Sequence, residues 1–166
     1  MVQYLPLITA ATSQRSSRLD TAIIMKLVKT PCIGICSTTS FGDPVCRGCK
    51  RYLFEVINWN SYAEFEKAAV LKRLEKLEVQ ILESKLQIVN EALLIEGMRK
   101  LGLSFDETLS PLCWVHNLLA KCHQQIPNLH VVGLMARPEF SDLSVSAFSK
   151  IVDDELLTLS AAHNDR

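Results

Sequence analysis

The sequence predicts a mainly α protein: a four-cysteine metal or cluster knuckle followed by a helical bundle with one long helix. Three observations carry that expectation. Four of the six cysteines fall between residues 32 and 49. Residues Tyr62–Lys100 contain no proline, and no glycine before Gly97, and they repeat apolar residues at helical spacing. Two further apolar helical faces follow, each behind a residue that can cap a helix.

The composition narrows the class. The chain has 166 residues with 18 basic and 18 acidic side chains, and 48% of it is apolar or aromatic. That suits one domain, or one domain with a small appended module, and it is long enough to bury a core. Zero net charge argues against a general nucleic-acid binder, which usually carries a basic excess. No run approaches the roughly 18 uninterrupted apolar residues of a membrane span. Residues 1–24 differ in character from the rest. They read as a leader without function, or as a mis-assigned start with Met25 as the true one. Tyr4–Ala11 has no basic residue before it, so it makes a poor export signal and the cytoplasm is the expected compartment. Residues 28–60 then form the cysteine module, and 61–160 the helical region.

The strongest signal is Pro31-Cys32-Ile33-Gly34-Ile35-Cys36 followed, after nine residues, by Cys46-Arg47-Gly48-Cys49. Close pairs let two thiolates converge on one ion through one small turn, and two such pairs make a closed four-sulfur shell. Gly34 and Gly48 lie inside the pairs, where a tight backbone and free amides directed at sulfur are useful. A disulfide framework would need an oxidising compartment. A thioredoxin-type centre would need a strand and a βαβ context. The expectation is therefore a metal site with Cys32, Cys36, Cys46 and Cys49 as ligands. Zinc and an iron–sulfur cluster both suit such a shell, and spacing does not separate them. Arg47, Lys50 and Arg51 surround the second pair and are expected to offset the negative charge of four thiolates.

The stretch from Pro31 to Tyr62 resembles a family of small bacterial proteins of unknown function, which are predicted to be Fe–S proteins. Pro31, Cys32, Gly34, Cys36, Cys46, Gly48, Cys49, Arg51 and Trp59 carry the resemblance, which covers about residues 30–75. It implies a bacterial cytoplasmic protein with an iron–sulfur centre and implies no reaction.

Lys50–Ile57 reads as a short helix whose N-terminus meets the second cysteine pair, where its amides and dipole would stabilise sulfur. Trp59 follows as a packing anchor for the knuckle. Ser61 and Glu64 match a capping box that opens the long helix, Tyr62–Lys100. Leu74, Leu77, Ile81, Ile88, Ile95 and Met98 fill most of a heptad seam, so the helical region suits burial, a homodimer or a docked protein partner. Ser110-Pro111 starts another helix, and Ser141 or Asp142 caps a last one, with fraying from Ala161. Asn128–Met135 reads as a buried connector or a single strand. Cys113, Cys122, His116 and His123 share helical spacing with one another, but single thiols on apolar helices are usually small core residues. No phosphate loop, zinc-protease motif or nucleophile elbow is present, so no catalytic residue is assigned.

Overall fold

A computed structural model describes residues 28–34 and 36–165; the leader reading of residues 1–24 lies outside them. The described chain is mainly helical with one small sheet. Two short helices, α1 (Ser37–Phe41) and α2 (Leu53–Asn58), belong to the cysteine-rich segment. Then come α3 (Glu64–Lys85), β1 (Leu86–Ile88), α4 (Glu91–Lys100), α5 (Pro111–Cys122), β2 (Leu134–Ala136) and α6 (Val145–Asn164). Single 3-10 turns lie at His123–Gln125, Leu129–Val132 and Pro138–Phe140.

The expected helix from Tyr62 to Lys100 is two helices. At Leu86 the backbone turns extended (φ −146°, ψ 171°), and residues 86–88 pair antiparallel with β2, Leu86 opposite Ala136 and Ile88 opposite Leu134. Arg137 N–H donates to Lys85 C=O at 2.7 Å and closes the end of α3 against the sheet. The chain re-enters a helix at Asn90, whose side chain accepts Leu93 N–H at 3.1 Å as an N-cap. The break puts Leu86 into the core, 1% exposed, and leaves Leu94 and Met98 fully buried on the returning helix. Gly133 makes the crossing feasible. It sits at φ +72°, and a Cβ there would lie 2.0 Å from the Asn90 carbonyl oxygen, so only glycine fits. Its own carbonyl accepts both Val89 N–H and Asn90 N–H.

The caps differ from expectation in two places. The N-cap of α3 is Ala63, whose N–H the Glu66 carboxylate accepts at 2.8 Å, while Ser61 turns its hydroxyl to the Asn58 carbonyl. Glu64 is therefore free to hold Val28 N–H at 2.7 Å. The last helix is capped by Ser144, which accepts Ala147 N–H at 3.2 Å. Ser141 instead belongs to the preceding 3-10 turn and donates to Pro138 C=O. α6 continues to Asn164, beyond the expected fraying point. Ser110 and Pro111 open α5 as the sequence predicts. Asn128–Met135 holds a 3-10 turn and the start of β2.

α3, α5 and α6 pack on one another. Their shared core includes Leu77, Ile81, Leu82, Val115, Leu118, Leu119, Phe148, Val152 and Leu156. Each fully buried side chain of this kind contributes about 1.5–3 kcal/mol. A second, smaller core holds Trp59, Val70 and Leu74, with Val28, Tyr62 and Leu71 against it. The N-terminal half of α3 thus serves the cysteine-rich segment, and its C-terminal half serves the larger core. No helix of the described residues is long and apolar enough to cross a membrane.

Candidate metal centre

Cys46–Cys49 is a tight turn closed by backbone hydrogen bonds. Lys50 N–H donates to Cys46 C=O and Cys46 N–H to Arg51 C=O, both at 2.8 Å. Val45 and Tyr52 bridge behind it, and Leu53 N–H reaches Pro44 C=O at 2.9 Å. This geometry displaces the expected helix start. Lys50 adopts φ +57°, a left-handed conformation costly for a residue with a Cβ. α2 begins only at Leu53, and Glu55 accepts the N–H of its N-cap, Tyr52, at 2.9 Å. The helix dipole is not what the cysteines receive.

They receive individual donors instead. Gly34, at φ +95°, points its N–H at Cys32 Sγ at 3.4 Å. Cys36 Sγ lies 2.9 Å from Thr38 Oγ1. The hydroxyls of Thr38 and Thr39 push the Cys36 thiol down to about 6, which favours its thiolate form. Burial works against the Cys46 thiolate, but the amides of Cys49, Ser37 and Gly48 outweigh it and hold that thiol below its ordinary value. Burial dominates at Cys49 and raises its thiol, offset in part by Arg51, whose Nε donates to Cys49 Sγ at 3.3 Å. Ser37 ties the two pairs together, because its hydroxyl also accepts Arg47 N–H at 2.9 Å.

The three bases go to different places. Arg47 turns away from sulfur and pairs with Asp43 at 2.8 Å, its side chain 69% exposed. Lys50 is buried and extends its ammonium to Arg47 C=O and to Asp153 Oδ1 of α6 at 2.5 Å. Arg51 is buried between Cys49 and the Trp59 ring, with its guanidinium carbon 4.6 Å from the ring centroid. Trp59 itself packs in the small core.

A cavity of about 980 Å³ opens beside this segment. Cys32, Cys49 and Lys50 line it together with Glu78, Cys113 and His116 from α3 and α5. His116 Nδ1 lies 3.2 Å from Glu78 Oε1. Burial, and then the Glu78 charge, raise the Cys113 thiol far above its ordinary value. Cys122 is buried in the main core, and His123 Nδ1 faces Leu119 C=O, so Cys113, Cys122 and the two histidines are spread over different surroundings. All six cysteines are free thiols.

Among the described residues, no three Cys, His, Asp or Glu side chains are gathered so as to hold a metal ion. Cys32 is exposed, Cys36 half-buried, and Cys46 and Cys49 buried. The donor chemistry around the sulfurs fits a thiolate ligand set, since each of the four faces N–H or O–H groups. Ser37, Thr38 and Asp43 were not among the residues expected from the sequence to act here. The Cys-Ser-Thr-Thr run was the available signal, because hydroxyls just after a cysteine can turn back to its sulfur.

No curated protein and no solved structure matches the chain. Residues 30–78 match the family model described as a protein of unknown function (DUF1289), a span that covers the cysteine segment, Trp59, Val70 and Leu74 of the small core, and about the first two-thirds of α3.

Proposed function

We propose that this protein binds one metal ion or iron–sulfur cluster through Cys32, Cys36, Cys46 and Cys49, as a small cytoplasmic metal- or cluster-binding protein. The observation that carries this reading is the set of donors aimed at all four sulfurs: the Gly34 amide, the Thr38 hydroxyl, the amides of Ser37, Gly48 and Cys49, and the Arg51 guanidinium. Such groups stabilise thiolate, the form that binds metal. Gathering the four sulfurs is the change that metal would bring, drawing the exposed Cys32 toward the Cys46–Cys49 turn. Four protein ligands leave no open coordination position, so a bound centre would supply structure or electron transfer rather than hydrolysis.

A second reading, a zinc-stabilised interaction module, is favoured by one observation. Ile33, Phe41, Phe54, Ile57 and Phe65, all within or beside the cysteine segment, are more than half exposed, as suits a surface that meets a protein partner.

Anaerobic purification with metal analysis and absorption spectroscopy tests both readings. A cluster gives iron, sulfide and visible absorption; zinc gives a colourless stoichiometric metal. Each single Cys→Ser change at positions 32, 36, 46 and 49 should lose the metal, while Cys113→Ser and Cys122→Ser keep it. Metal retained by both Cys32→Ser and Cys49→Ser would overturn the assignment.

A further inference from the structure

Of the three bases flanking the second cysteine pair, Arg51 is the one without a carboxylate partner among the described residues. Arg47 is spent on Asp43, and Lys50 is tied to Asp153. Arg51 is 3% exposed, gives Nε to Cys49 Sγ and places its guanidinium carbon over the Trp59 ring, 4.6 Å from the centroid. Its Nη1 is buried with no hydrogen-bond partner among the described residues. A guanidinium has five donors in a rigid fork and stays charged when buried, so a buried unsatisfied nitrogen on it is an expensive arrangement unless something anionic completes it. Four thiolates around Zn²⁺ would leave a net charge of about −2, counting one negative charge per thiolate ligand.

The geometry points to Arg51 as the positioning residue of the centre: the Trp59 ring packs against the guanidinium, Nε holds Cys49, and Nη1 is the donor for a second sulfur once the ligand set closes. This rests on the metal reading above. It deepens that reading by assigning the charge compensation to one of three neighbouring cations and excluding Arg47. The Trp59 ring beside it also offers the buried charge a cation–π contact where no carboxylate partner is found among the described residues.

The test compares the full-length wild-type chain with Arg51→Gln, Arg51→Lys and Arg47→Gln by anaerobic Co²⁺ titration and by Zn²⁺ competition against a chelator. Arg51→Gln should still take up one metal but hold it about tenfold more weakly, the lower end for loss of a group that orients a ligand. Its cobalt–thiolate charge-transfer band should also shift. Arg51→Lys, which keeps charge without the fork, should fall between that variant and wild type. Arg47→Gln should match wild type. The far-ultraviolet spectrum of each metal-free variant reports whether the fold is kept, and Arg51→Lys serves if Arg51→Gln does not fold. Wild-type affinity and an unshifted band in a folded Arg51→Gln would overturn the assignment of Arg51 while leaving the four-cysteine site standing. Equal weakening in Arg47→Gln would overturn it too, as unspecific surface charge. A wild-type chain that binds neither Co²⁺ nor Zn²⁺ nor a cluster would overturn both readings.

Discussion

Asp43 decides the fate of Arg47. The pair lies at the i,i+4 spacing and meets at 2.8 Å, so the arginine nearest the ligands in sequence is not the one nearest them in space. That spacing was legible in the sequence; the positive φ of Lys50, which swings its side chain toward α6, was not, because nothing local marks a lysine for the left-handed region. Glu64 shows how a single carboxylate links two segments. Lys67, and after it Val28 N–H, hold its pKa below the ordinary 4.5. A depressed carboxyl contributes stability that is present above its unfolded value and is lost as pH falls through the folded one. Acidification below the ordinary 4.5 should therefore release the chain at Val28, seen as increased proteolysis there; Glu64→Gln should show the release already at neutral pH. Gly133 offers a sharper case. With a Cβ 2.0 Å from the Asn90 oxygen and φ at +72°, Gly133→Ala should cost at least about 2 kcal/mol in urea unfolding, as a clash and a strained backbone combine. A loss under about 0.5 kcal/mol, the range of a neutral surface change, would mean the crossing relaxes freely.

At the scale of elements, α5 and α6 could be read from apolar spacing and capping residues, and the cysteine segment from its thiols. The break between α3 and α4 could not be read the same way. Leu86, Ile88 and Ile95 continue a helical period, and periodicity alone cannot separate a short buried strand from a helical turn. The deciding partner, β2, lies 48 residues further on (134 − 86). Asn90 followed by Glu91 was the local clue, an N-cap with an acid in the first turn. The seam that suggested a coiled-coil homodimer is largely consumed within the chain, with Leu74, Leu77, Ile81 and Met98 buried. Two of the elements lie in the cysteine segment, and α2 is also held to α3 by Glu55, which pairs with Arg73 at 2.7 Å. α1 and α2 have five and six residues, too short to persist without tertiary support. Chelation of the metal-loaded protein should then remove these two and leave most far-ultraviolet helical signal, which comes from α3 to α6. Collapse of the whole signal would show that the helical body needs the metal as well.

For the whole molecule, two of the ties between the cysteine segment and the rest reach furthest. Lys50 reaches Asp153 across 103 positions of sequence, and α3 runs through both cores, with Val70 and Leu74 in the small one and Leu77, Ile81 and Leu82 in the large one. The family match ends at residue 78, close to where α3 passes from one core to the other. A helix held at its two ends by different partners opens in stages, because backbone amides exchange with solvent only when their own stretch of hydrogen bonds is broken. Deuterium uptake along α3 should therefore be graded. Amides from Val70 to about Leu74 should slow when metal is added, whereas those around Ile81 and Leu82 should already be among the slowest in the chain and stay so. Uniform protection from Glu64 to Lys85, with or without metal, would mean that the helix opens as one piece and that the large core alone sets its lifetime.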